Sequence, residues 1–157
     1  MKALGEEAQD LAAAFRDDVD RDNDAFLAMQ AAARLPKGTA EEAAARTAAL
    51  RAATERGILV PLEVLERSSR AAALAAEAAD SGNPNSRSDA GVAALAARAC
   101  AEGAYYNVLI NLPGIADAAW REGVLARAAA SLERTRTVAD ATAARVRGAL
   151  EGSATTG

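Results

Sequence analysis

From Gly82 to Cys100 the chain reads GNPNSRSDAGVAALAARAC. Glycine, asparagine, proline, asparagine and serine in succession cannot continue a helix, because they either free the backbone or compete for its hydrogen bonds. Asp89 then opens a run of small, alanine-rich residues with high helix propensity. The stretch therefore joins two helices by a short connection, as between antiparallel neighbours in an up-and-down bundle. A glycine and a proline would be enough to turn the chain. Asn83, Asn85, Ser88 and Asp89 are additional, and they gather polar groups at one point.

The same punctuation recurs along the chain. LPKGT (Leu35–Thr39) breaks the first helical run, and Thr39-Ala40-Glu41-Glu42 has the Thr-x-x-Glu form of a capping box. GILVP (Gly57–Pro61) reads as a second interruption, with Pro61 suited to the first turn of a new helix. LPG (Leu112–Gly114) ends another run, and GSATTG reads as a flexible tail. Five helical segments are predicted, near 2–34, 39–56, 61–80, 88–111 and 115–150, with no period-2 strand pattern. The expectation is an all-α antiparallel bundle of about five helices, one domain over 1–150 and a tail over 151–157.

Composition narrows the possible functions. Hydrophobic residues make up 51% of the 157, yet only 3% are aromatic, so the core must be thin and its helices must approach closely. Self-association into a homodimer or higher homo-oligomer is the usual way for such helices to bury more surface. A net charge of −4 argues against a nucleic-acid partner, whose phosphates need a basic footprint. One cysteine permits no internal disulfide and fits a reducing cytoplasm. No membrane-spanning apolar run and no signal peptide is evident. Histidine is absent, which removes Ser-His-Asp and Cys-His catalysis and most zinc sites. Acid–base chemistry falls to carboxylates, lysine, tyrosine or water. Cys100, within an alanine run, reads as a small buried hydrophobe.

Two helical stripes carry polar residues. The first runs Leu4, Ala8, Leu11, Phe15, Val19, Asp22, Phe26, Met29, Ala33 at three- and four-residue steps. Seven residues turn a helix through about 700°, so Asp22 lies roughly 20° from Phe15. A carboxylate thus occupies a hydrophobic position, where burial would raise its pKa; an ion pair with an arginine is the plainer reading. Asp17, Asp20 and Asp24 point away as a solvated face. The DDVDRDND run lacks the glycine and terminal glutamate of a calcium loop. The second stripe runs Asp89, Ala93, Ala96, Cys100, Gly103, Asn107, Asn111. Gly91 and Gly103 suit places where a backbone or ligand comes close. Ser88 is expected as N-cap, with Asp89 stabilised as the anion by the positive end of the helix dipole. Asp89 and Asn107 are ~27 Å apart along the axis and cannot serve one small reacting group within a chain. They could meet through an antiparallel partner helix, or at opposite ends of a long ligand.

GNPNSRSDAGVAALAARACAEGAYYNVLINL (Gly82–Leu112) resembles the signature region of the cyclodeaminase/cyclohydrolase family, small bacterial methenyltetrahydrofolate cyclohydrolases and the cyclodeaminase domain of formiminotransferase-cyclodeaminase. DVDRDNDAF (Asp18–Phe26), RLPK (Arg34–Lys37) and VPLEV (Val60–Val64) support the resemblance in order. It implies a folate one-carbon enzyme acting on the methenyl or formimino group of tetrahydrofolate, with a tetrahydrofolate derivative as substrate and no bound cofactor or metal. Asp89 as base and Asp22 as acid are the implied catalytic pair, converging across helices or subunits. Asn83, Asn85, Ser88, Asn107 and Asn111 are implied substrate contacts, with Lys37, Arg34 or Arg87 complementing the anionic glutamate tail. Family members begin with a further helix carrying Pro-Gly-Gly-Gly-Ser, which these residues do not match, so its contacts cannot be carried over. The alternative is a non-catalytic helical oligomerisation module, a truncated or degenerate member of the same family.

Overall fold

The computed structural model describes residues 2–155. Four long helices account for nearly all of them: α1 (Lys2–Ala33), α2 (Ala40–Ser81), α3 (Arg87–Asn111) and α4 (Ala118–Thr155). No strand occurs among the described residues. Short 3₁₀ turns, Pro84–Ser86 and Leu112–Gly114, flank α3. Thr39 caps α2 as its sequence requires: its hydroxyl accepts from the Glu42 amide at 3.1 Å, and the Glu42 carboxylate accepts from the Thr39 amide at 3.0 Å. At the other end α4 continues through Gly152–Thr155, into the stretch read as a tail.

The predicted break at GILVP does not form. Pro61 is buried inside the continuous helix α2, so two of the five expected helices are one. A proline in mid-helix cannot donate to the carbonyl four residues back, which here is Gly57. The side-chain amide of Asn111, at the end of α3, donates to that carbonyl at 3.0 Å. A β-carbon added at Gly57 would stand 3.8 Å from the Asn111 nitrogen and 3.3 Å from Met29, so glycine leaves the approach open. The tertiary neighbour supplies the donor that the proline lacks, and the helix runs on.

The chain goes up and down, with α1 and α3 parallel to each other and antiparallel to α2 and α4. Helices α2, α3 and α4 pack mutually, whereas α1 rests on α2. The larger core cluster holds Ile58, Leu62 and Leu65 of α2, Val108 of α3, and Val124 and Leu132 of α4. Toward the other end the core thins to alanines: Ala72 and Ala75 meet Ala94, Ala97 and Ala139. There α3 comes so close to α4 that a β-carbon on Gly91 would stand 2.8 Å from Val146 Cγ1. Gly91 is a close-approach glycine, as expected.

The relay from Pro61 to Asn111 can be tested by a double-mutant cycle. Asn111→Ala leaves the Gly57 carbonyl without its donor and should cost about 1–3 kcal/mol in urea unfolding. Added to Pro61→Ala, which restores a backbone N–H to the helix, the same change should cost less than half as much. An equal cost in both backgrounds would show that Asn111 stabilises by other contacts.

Candidate functional site

The bulky stripe of α1 does not face the core. The face of α1 set against α2 carries Leu11, Ala14, Asp18, Arg21, Ala25, Ala28 and Ala32, in unbroken three- and four-residue steps, and its fully buried members are Asp18, Ala25 and Ala32. Small side chains let the backbones approach closely, and paired charges occupy the space where a hydrophobe would otherwise sit. Asp18, 3% exposed, accepts from Arg21 at 2.7 Å and from Arg67 of α2 at 2.6 Å. Glu63 completes the quartet, accepting from the same two guanidiniums at 2.6 and 3.2 Å. The bond from Arg21 holds the Glu63 carboxyl below its ordinary value, and Glu63 raises Arg21 further in turn. About three turns toward the N-terminus, Glu7 is engaged by Arg70 of α2 and is likewise held low by that bond.

With this face used, Leu4, Phe15, Val19 and Asp22, with Leu11 at the border between the two faces, line the near wall of an open groove whose floor is α2 and whose far wall is α3. Two cavities, of about 730 and 530 Å³, share Phe15, Ala71 and Ala93 and form one trough. Both are within the size range of small-molecule sites. The middle is almost wholly apolar; the polar groups stand at the ends. Asp22 and Asn107 line the wider end together with the buried Asp18. Asn83, Ser86 and Asp89 line the narrower end.

The expectation that Asp22 faces the core of the chain is overturned. Asp22 is exposed on the groove wall, and the buried carboxylate is Asp18. The predicted stripe follows the bulkiest residues, whereas the packing follows the smallest ones. The signal was present in the sequence: Asp18, Ala25 and Ala32 are spaced by sevens. Cys100 is also exposed rather than buried, and it lines the wider cavity with Gly103. A β-carbon on Gly103 would meet nothing within 4 Å, so this glycine opens the trough.

At the narrower end the N-cap of α3 is Ser86, not Ser88, and its side chain makes no cap bond. Ser88 and Asp89 are exposed in the first turn. Asn83 caps the 3₁₀ turn, its side-chain oxygen accepting from the Asn85 amide at 3.0 Å. Asn83 and Asp89 line the trough, whereas Asn85 and Ser88 are not among its lining residues. Asn107 faces the trough, and Asn111 is held against Gly57 as described. Arg34 and Lys37 lie exposed beyond the end of α1, and Arg87 is half-buried at the start of α3; none of the three lines either cavity. Within one chain the two candidate carboxylates do not converge: Asp22 lies level with Asn107, ~27 Å along the helices from Asp89.

Residues 1–130 match the family model described as formiminotransferase-cyclodeaminase. The rat formimidoyltransferase-cyclodeaminase is 39% identical over 133 residues, covering 85% of this chain and 24% of that protein. The methenyltetrahydrofolate cyclohydrolase of Methylorubrum extorquens is 41% identical over 120 residues, covering 72% of this chain and 58% of the relative. The crystal structure of formiminotetrahydrofolate cyclodeaminase from Thermotoga maritima superposes with a TM-score of 0.71 at 26% identity, over 94% of this chain and 67% of that one. The chain thus spans about a quarter of its mammalian relatives and less than two thirds of the bacterial cyclohydrolase.

The two acidic residues of α1 should behave oppositely. Asp18→Ala leaves Arg67 half-buried without its closest partner and should cost about 3 kcal/mol or more in urea unfolding. Asp22→Ala, on the open wall, should stay within about 0.5 kcal/mol. Acid should loosen the α1–α2 seam as well. Glu7 and Glu63 have lowered pKa values in the folded chain, so their contribution is present above the ordinary value of 4.5 and is lost as pH falls through the folded values. Amide exchange in α1 should rise below that pH before exchange in α2 and α3 does.

Proposed function

The chain belongs to the formiminotransferase-cyclodeaminase family, and from that premise we propose that the trough between α1 and α3 binds a tetrahydrofolate derivative carrying a methenyl or formimino group. The observation that carries the reading is the trough itself, apolar along its length and polar at its ends. A pterin–aminobenzoate body needs apolar walls, and its terminal heteroatoms need hydrogen-bonding groups such as Asn83 and Asn107. Arg87 at one end, or Arg34 and Lys37 at the other, would draw the glutamate tail outward, since the trough itself offers no cation.

In the cyclohydrolase direction, Asp89 takes a proton from water as its oxygen bonds to the methenyl carbon. The C–N5 bond then breaks as the new hydroxyl gives up its proton and becomes the formyl carbonyl, a proton passes to N5, and 10-formyltetrahydrofolate and one net proton result. In the cyclodeaminase direction, N10 attacks the formimino carbon and ammonia leaves with the proton it needs. Asp22 is the proposed proton donor in either case; because it stands ~27 Å from Asp89 along one chain, the two serve one carbon only where they come from different copies of the chain. The position of Asp22 on an apolar wall supports that role once a ligand displaces water from the trough. Asn85, Ser88 and Asn111 support the site from its edges. Both reactions pass through one tetrahedral carbon, and both use carboxylates in a chain without histidine. A homodimer or higher homo-oligomer, in a reducing compartment such as the cytoplasm, is part of this reading.

The test is Asp89→Asn, with turnover followed by methenyltetrahydrofolate absorbance. The change preserves shape and removes the basic oxygen, so turnover should fall by ~100-fold or more while folate binding largely survives. Unchanged turnover would reduce Asp89 to a helix-dipole partner. Neither binding nor turnover in the unsubstituted protein would favour a non-catalytic oligomerisation module.

A further inference from the structure

The chain carries two phenylalanines, two tyrosines and one tryptophan. Tyr105 and Trp120 pack on the larger core cluster, and Phe26 and Tyr106 stand exposed and line neither cavity. Phe15 is the one aromatic side chain among the described residues that line the trough. It is half-buried on the α1 wall and belongs to neither core cluster. It also lines both cavities, a position that only Ala71 of α2 and Ala93 of α3 share. Phe15 therefore marks the waist where the two cavities join, and the other residues at the join carry only methyl groups. An aliphatic side chain would exclude water there equally well, as Leu4 and Val19 do elsewhere on this wall. A ring adds a flat face and a polarised edge, which favour a second ring in an offset or edge-on arrangement. Ala71 and Ala93 supply no such ring.

We propose that Phe15 seats the benzoyl ring of the folate and so fixes how far the ligand lies along the trough; the proposal rests on the folate reading above and names a contact within that site. The order of groups in the ligand decides which ring it is. The pterin lies at one end, the glutamate at the other and the benzoyl ring between them, just as the waist lies between the two polar ends of the trough. A pterin has donors and acceptors around its rim. At the waist these would lose water without gaining a partner, because Phe15, Ala71 and Ala93 offer no polar side chain. A benzene ring loses no hydrogen bond there. The spacing along α1 agrees. Phe15 and Asp22 are seven residues apart, ~10 Å along the helix and within roughly 20° around it, so one wall presents a carboxylate and, two turns on, a ring. A reacting carbon at Asp22 is bonded through N10 to the benzoyl ring, which then runs toward Phe15. Phe15 takes no part in proton transfer; it holds the reacting carbon in register with the groups that do.

The contact can be measured without any turnover. The probe is 5-formyltetrahydrofolate, a stable folate with its one-carbon group on N5. In the complex, the Phe15 ring protons should show nuclear Overhauser contacts to the benzoyl protons and none to the C7 protons of the pterin. With two phenylalanines in the chain, the Phe15 signals are those that Phe15→Leu removes. Leucine keeps the apolar bulk and loses the ring, so calorimetric affinity for the probe should fall about tenfold. Phe15→Tyr keeps the ring and should bind within about twofold of the unsubstituted protein, with helical circular dichroism unchanged in both variants. Contacts to the pterin alone, no contact from Phe15 with the probe bound, or an unchanged affinity in Phe15→Leu would each overturn the seating. Equal losses in Phe15→Leu and Phe15→Tyr would mark a packing effect and overturn it as well. An unsubstituted protein that does not bind the probe at all would overturn the folate reading itself, a result distinct from binding without the ring contact.

Discussion

The position of α1 depends on one buried carboxylate. Asp18 sits between Arg21 and Arg67, with Glu63 closing the quartet, and around it α1 meets α2 through alanines. A buried pair of this kind is poor at adding net stability, because two ions must lose their water. It is good at fixing register, because any slip leaves an unpaired charge. The alanine face alone would slide by a turn at little cost. The charges hold α1 where its bulky face becomes the wall of the trough rather than part of the core.

Alanine governs the rest of the architecture in the same way. Where larger side chains are available, around Ile58, Leu62, Val108 and Val124, the helices enclose an ordinary core. Where only alanines meet, α3 and α4 close until Gly91 is in contact with Val146. Close approach on one side of α3 leaves its remaining bulky residues on the outside. The trough and the exposed Val92, Tyr106 and Ile110 of α3 therefore have a common origin: where small residues take the contacts between helices, larger ones are left outside.

The trough separates its polar groups by nearly its whole length. Asn83 and Asp89 stand where the chain turns between α2 and α3, and Asp22 and Asn107 stand beside the far end of the seam. An elongated, largely apolar molecule with polar ends is the chemistry such a site recognises. No cation is among the trough's lining residues, so an anionic group on such a molecule would be met only beyond the trough's ends.

Sequence alone determined the helical class, the capping box at Thr39, the turn at Asn83–Ser86 and the face shared by Asp89 and Asn107. All of these follow from local chemistry: propensity, side-chain-to-backbone hydrogen bonds and the 3.6-residue period. The continuity of α2 was not legible, because the donor for the Gly57 carbonyl freed by Pro61 lies 54 residues away at Asn111. The buried carboxylate was not legible from the bulkiest stripe either. Hydrophobicity marks what prefers to leave water, but backbone distance decided which face of α1 could be packed, and alanines with Asp18 approach more closely than Phe15 and Val19 can. Local pattern set the helical class and its caps; the fit between helices decided that α2 runs on through Pro61 and that the face reading as core would become the wall of the trough.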